Sequence, residues 1–141
     1  MKSVVDNVVY LQMYKLYFDG ASKGNPGRSA FGGVIYNACG DIVKQYKVDC
    51  GVGTNNRAEY LGALTGIKEA HEMGVTHLEV FGDSELVIRQ LSGIYKVRNL
   101  PLREIYNMIK EYERRFEVIK YFHVYREHNT VADRLANEAL K

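Results

Sequence analysis

Hydrophobic periodicity divides this chain near residue 55, and that division limits the folds open to it. Residues 14–19 (YKLYFD) alternate apolar and polar and end at Gly20, the signal of a strand. Residues 31–37 and 42–50 read as two more strands. They flank the turn-like Ala38-Cys39-Gly40-Asp41, which predicts a hairpin. From about 56 to 73 the pattern changes. Ala58, Leu61, Leu64, Ile67 and Ala70 recur every three residues, Ala63 and Gly66 widen that face, and Gly74 marks the stop, so this segment is a helix. A short strand over 76–82, a short helix over 84–92 stopped by Gly93, and a helix over 100–116 with Ile105, Ile109, Tyr112 and Phe116 at helical spacing follow. A strand over 118–125 and a helix over 130–140 complete the order βββαβααβα. This order predicts an α/β domain with a five-stranded mixed sheet flanked by helices. Three strands form an antiparallel meander, and two more join in parallel through helices. Strands that feed helices place their C-terminal ends on one edge, where ligands bind in such sheets.

Four acidic residues fall at that edge. Asp19, Glu59, Asp83 and Asp133 each sit where a strand hands over to a helix or in the first turn of a helix. Gathered together they repel one another unless hard cations occupy the cluster, the composition expected of two-metal phosphodiester chemistry. Each also has a structural reading. Asp19 suits a turn before the Gly-rich GASKGNPG. Asn56-x-x-Glu59 and Thr130-x-x-Asp133 fit capping boxes, and Asp83 fits an N-cap. Their joint placement, not any one of them, carries the inference. The Gly-rich loop offers Ser22, Lys23 and Asn25, groups suited to a sugar-phosphate backbone. Among the histidines, His71 and His77 read as solvated and His123 as a packed or surface strand residue. His128, five residues before Asp133, is the one placed to meet the carboxylates.

A length of 141 residues, 46% apolar, fits one domain with an adequate core. Residues 14–141 form that domain. Residues 1–13 read as an N-terminal extension, either an added edge strand or disordered. The net charge of +2 neither announces nor excludes a nucleic-acid partner. No apolar run approaches the ~20 residues that span a bilayer, and no signal-peptide pattern is present, so the expected setting is intracellular (cytoplasmic), away from membranes. Cys39 and Cys50 read as free thiols, with a disulfide as the alternative.

The segments DGASKGNPG, TNNRAEYLGAL, DSELVIRQLSG and ADRLANEAL resemble, in order and spacing, the four signature blocks of type 1 ribonuclease H. The resemblance covers nearly the whole chain from about residue 14. It implies the ribonuclease H-like fold and cleavage of the RNA strand of RNA–DNA hybrids, leaving 5′-phosphate and 3′-hydroxyl ends. It puts the metal-binding, catalytic tetrad on Asp19, Glu59, Asp83 and Asp133. Two Mg²⁺ ions are implied, bridged by Asp19 and the scissile phosphate. One activates the attacking water and the other stabilises the departing 3′-oxygen, and Mn²⁺ is expected to substitute. By the same resemblance, Gly20, Ala21, Ser22, Asn25, Asn55, Asn56 and Glu59 contact the 2′-hydroxyls and minor groove. Thr54, assisted by Asn99, binds a DNA phosphate. The implied partner is the hybrid duplex, taken up by a monomer with no obligate protein partner. Competing functions are a non-catalytic hybrid-binding module, which the intact tetrad disfavours, and a reverse-transcriptase-derived domain, against which Met1 and the end at Lys141 favour a stand-alone protein. The 2′-hydroxyl-reading blocks argue against a junction-cutting resolvase.

Two departures from the family pattern stand out. The glycine-flanked histidine of many members is absent from the short loop YREHNTVAD, and Arg126 or His128 is expected in its place, Arg126 being favoured. The basic extra helix of many members is also absent; only Ile94 to Asn99 fills the space, with Lys96 and Arg98. Phosphate contacts set both affinity and its salt slope. Hybrid binding by this chain is therefore expected to be weaker and more salt-sensitive than in members with that helix, as a filter-binding salt titration measures. Full-strength binding at high salt contradicts this.

Overall fold

The computed structural model describes residues 2–5 and 8–141. Strands β1 (Lys2–Val5) and β2 (Val8–Leu11) are followed by β3 (Tyr14–Gly24), β4 (Gly27–Tyr36) and β5 (Ile42–Gly53). Then come α1 (Asn55–Glu72), β6 (His77–Gly82), α2 (Glu85–Leu91), α3 (Leu100–Glu113), β7 (Val118–His123), a 3₁₀ turn (Arg126–His128) and α4 (Thr130–Ala139). The main sheet has the order β5-β4-β3-β6-β7. Pairing is antiparallel through β3, β4 and β5 and parallel from β3 to β6 to β7, the mixed sheet expected from the sequence. Among the described residues the main sheet takes no edge strand from the extension: β1 and β2 pair with each other, and β5 and β7 are its outer strands. Between α2 and α3, residues 92–99 contain no helix. No helix among the described residues is long and apolar enough to cross a membrane.

Alternation along β3 sends Leu16 and Phe18 to one face, where they meet Ile35, Leu78 and Val80 under α1 and α3. Ile67 of α1 and Ile109 of α3 are fully buried there. Burial of each such side chain is worth roughly 1.5–3 kcal/mol. The opposite face of β3 and β4 carries α4. The predicted turn at 38–41 is closed by Asn37, whose Oδ1 accepts from the backbone N–H groups of Cys39 (3.0 Å) and Asp41 (2.9 Å). Cys39 and Cys50 are both free. His77 departs from its solvated reading. It is 3% exposed, sits between Thr76 and Glu117, and lies at the N-terminal end of β6, away from the acidic edge. His71 is half-buried and packs edge-on against Tyr112 and Phe116.

The Gly-rich segment is a second departure. β3 does not end at Asp19 but runs on to Gly24, paired with β4 from Asp19↔Gly32 to Gly24↔Gly27. Small residues leave backbone pairing as the chief contact here, and Gly24, at φ +94, opens the turn. Gly20 serves a different end. A Cβ at that position would lie 2.7 Å from the Glu59 nitrogen and 2.9 Å from the Ala58 Cβ, so its absence lets α1 lie against β3. Gly20→Ala is expected to cost about 1–3 kcal/mol of stability by overpacking. A denaturant titration measures this, and an unchanged midpoint would mean that α1 shifts freely.

Candidate active site

The sheet opens where the acidic residues gather because its parallel pairing stops early. β3 pairs with β6 only from Tyr14↔Leu78 to Tyr17↔Phe81. Beyond that it continues with β4 alone, so Asp19 stands past the last parallel pair. Asp83 follows β6 directly. Glu59 comes from the second turn of α1, held close by the approach at Gly20. Asp19, Glu59 and Asp83 each offer an oxygen within 4.8 Å of the others. Asp133, in the first turn of α4, lines the same cleft but stands outside that trio.

The capping readings fail, each by a small offset. Thr54, not Asn56, caps α1: its Oγ1 accepts from the Arg57 N–H at 3.1 Å, which leaves Glu59 free of that duty. Ser84, not Asp83, is the N-cap of α2. Asn129, not Thr130, stands at the N-cap position of α4. Instead of capping, Asp133 accepts at Oδ1 from the Asn137 amide at 3.1 Å.

Burial governs the electrostatics. Asp19 is 4% and Glu59 7% exposed. Burial pushes the Asp19 carboxyl up to about 7; the Asp83 and Asp133 charges add to the rise, and a hydrogen bond with Glu59 opposes it. Burial also carries Glu59 well above the ordinary carboxylate range, with the Asp19 charge adding to it. Asp19 Oδ1 accepts from the Gly20 N–H at 2.9 Å, whereas Glu59 Oε2 is buried without a hydrogen-bond partner. A crowded set of carboxylate oxygens, one of them orphaned, is the donor set that hard divalent cations require. The residues present fit such a metal.

The cleft has a volume of about 460 Å³. Gly20, Ala21 and Ser22 of β3 form one wall, and Asn55 and Asn56 of α1 form another. Asn25 does not line it but accepts from the Asn55 N–H at 3.1 Å, and the Ser22 hydroxyl meets the Asn55 side chain. These contacts tie the β3–β4 turn to the start of α1. Thr54 and Asn99 lie outside the lining, each at a helix N-cap; Asn99 Oδ1 accepts from the Leu102 N–H at 3.1 Å. Arg126 lines the cleft. His128 does not: it lines a separate cavity of about 380 Å³ with Tyr17, Tyr36 and Thr130.

Sequence reasoning missed Ser84, Asn137 and Asn129. Ser84 and Asn137 line the cleft, and buried Asn129 donates to Asp83. Asn129 and Asn137 stand four residues before and after Asp133, a helical spacing that was available to find them. His123, read as a packed or surface residue, is exposed, and its Nε2 lies 3.3 Å from the Asp83 carbonyl oxygen.

The raised Asp19 pKa has a definite sign for stability. Its folded value, about 7, lies above the unfolded 3.8, so the associated stability is present below pH 3.8 and lost as pH rises through about 7. In chelator at pH 8, Asp19→Asn is therefore expected to melt at a higher temperature than the parent chain. The difference should vanish near pH 3 and shrink when Mg²⁺ is added. Equal melting temperatures at pH 8 would mean that the ionised cluster is not strained.

Residues 17–139 match the family model described as "Reverse transcriptase-like". The chain is 40% identical to the ribonuclease HI of Halobacterium salinarum over 124 residues, covering 88% of this chain and 62% of that protein. It is 40% identical to a bifunctional protein of Mycobacterium tuberculosis over 123 residues, which is 86% of this chain but 34% of the relative. The chain thus spans between a third and two thirds of the length of these curated relatives. Among solved structures, the Halobacterium RNase H1 superimposes with a TM-score of 0.87 at 39% identity, covering 91% of this chain and 97% of that one. The LC11 RNase H1, solved in complex with an RNA/DNA hybrid, gives 0.85 at 33% identity, with 90% and 96% covered. With the mixed sheet, the acidic edge and these matches together, the chain belongs to the ribonuclease H family.

Proposed function

We propose that this chain is a metal-dependent endonuclease that hydrolyses the RNA strand of RNA–DNA hybrids, leaving 5′-phosphate and 3′-hydroxyl ends. The carrying observation is the trio of buried Asp19, buried Glu59 and half-buried Asp83, with oxygens within 4.8 Å and Glu59 Oε2 unpaired, in a polar cleft. Asp19, Glu59, Asp83 and Asp133 would hold two Mg²⁺ ions, with Mn²⁺ as substitute. When bound, the metal pair supplies an activated water and neutralises charge developing at the scissile phosphate. Without cations, the high Asp19 and Glu59 pKa values keep a proton in the cluster near neutral pH.

The chain's own groups select the strand. Ser22, Asn55 and Asn56 bring donors and acceptors to the cleft wall, matching a 2′-hydroxyl that both donates and accepts. The Asn25–Asn55 contact holds that wall rigid. Thr54 and Asn99 spend only acceptor capacity on their helix caps. The Thr54 O–H and the Asn99 NH₂ remain to donate to a DNA phosphate. Arg126 places a guanidinium at the cleft, suited to drawing the product phosphate out, and His128 stands in the other cavity. The chain would act as a monomer on the hybrid, in an intracellular setting, without a membrane or obligate protein partner.

Cleavage of a labelled RNA–DNA hybrid, beside RNA–RNA and DNA–DNA duplexes, tests this reading. Mg²⁺-dependent cutting of hybrid RNA alone, reduced at least about a hundredfold by Asp19→Asn, is expected. Hybrid binding with no cutting under Mg²⁺ or Mn²⁺ would instead leave a binding module. Arg126→Ala is expected to slow turnover by about a hundredfold, while His128→Ala leaves it unchanged; the reverse ranking would reassign the role.

A further inference from the structure

Asn129 joins three of the four elements that carry the acidic residues. It is 2% exposed. Its Nδ2 donates to the Phe18 carbonyl at 2.9 Å and to Asp83 Oδ2 at 3.0 Å. Its own carbonyl accepts from the Asp133 N–H at 3.1 Å. Phe18 immediately precedes Asp19 on β3, so one side chain spans the backbone next to one acid and the carboxylate of another. The amide orientation is fixed by this pairing, because the reverse would set its oxygen against two acceptors.

Asp83 needs such a restraint. It lies in a bend between the end of β6 and the N-cap Ser84, outside regular structure. Asn129 is the side-chain donor on its carboxylate among the described residues. The acidic residues crowd one another, so a free Asp83 carboxylate would rotate away from Asp19 and Glu59.

We propose that Asn129 is a positioning residue for metal uptake. It holds the Asp83 carboxylate toward Asp19 and Glu59 and thereby sets the affinity of the cluster for divalent cations. Partners one step behind the ligands act in this way by fixing ligand orientation. Asn129 is buried and does not line the acidic cleft, so it works through Asp83 and not on substrate. The proposal rests on the metal-dependent reading above.

Mn²⁺ affinity of the parent chain, Asn129→Ala and Asn129→Leu, followed by electron paramagnetic resonance of free Mn²⁺, tests it. The leucine variant fills the volume without the donor and guards against a packing defect. Both are expected to bind Mn²⁺ about 10–100-fold more weakly. Their kcat should fall, KM for hybrid should hold, and turnover should recover at high Mn²⁺. Lower melting temperatures with unchanged Mn²⁺ affinity and kcat, measured where the variants remain folded, would overturn the proposal and leave Asn129 a structural residue. A metal-free readout separates this from the underlying reading: Asp83→Asn should move the NMR signals of the Asn129 NH₂ in the apo protein, and unmoved signals refute the contact. No Mn²⁺ uptake by the parent chain would overturn the metal reading and this proposal together; equal uptake by parent and variants would overturn this proposal alone.

Discussion

Like charges held in a dry place set the terms for this molecule. Asp19 and Glu59 are almost wholly buried, with Asp83 beside them, and burial plus mutual repulsion raises the Asp19 and Glu59 pKa values. Left alone, such carboxylates either take up protons or separate. Asp19 and Glu59 are held together because they belong to the middle strand of a five-stranded sheet and the helix crossing it, and Asp83, just past the end of the neighbouring parallel strand, accepts from Asn129. The strain of their assembly is the counterpart of their appetite for hard cations.

The scaffold concentrates its close contacts where that strain is stored. The helix α1 lies against β3 through Gly20, which brings the Glu59 backbone within reach of Asp19. The turn after β3 is tied to the start of α1 by Asn25, Asn55 and Ser22. The helix α4 lies on the opposite face of β3 and β4 and supplies Asp133 from its first turn. The cleft is therefore a seam between strand and helices, whose shape follows from the point where β3 leaves β6.

Much of this was legible in the sequence, and the reasons differ between parts. The change from alternating to three-residue periodicity near residue 55 was strong because a two-sided sheet and a helix bury their faces at different spacings. Glycines at 74 and 93 marked helix ends correctly. The Gly-rich segment was misread because glycine and alanine carry no alternation, yet they pair as readily as larger residues when a partner strand is present. The capping assignments slipped because Thr54, Ser84 and Asn129 compete with nearby residues of similar chemistry. Burial of His77 could not be read locally; in the fold its ring pairs with Glu117, forty residues away. The spacing to Asp133 pointed to Asn129, but its role did not show, because its side-chain partners, Phe18 and Asp83, are distant in the chain. The placement of the acids at strand and helix ends already put them at one edge; the geometry adds that Asp19, Glu59 and half-buried Asp83 form a tight trio and that Arg126 and His128 line different cavities.

The central claim is that burial strains the acidic cluster and that divalent cations relieve it. Carboxylate ¹³C NMR of Asp19, titrated in chelator and then in Mg²⁺, tests that most directly. Titration near pH 7 in chelator, shifted to lower pH by Mg²⁺, is the predicted result. Titration near pH 4 in both conditions would contradict it, because the carboxylate would then be neither strained by its neighbours nor bound to metal.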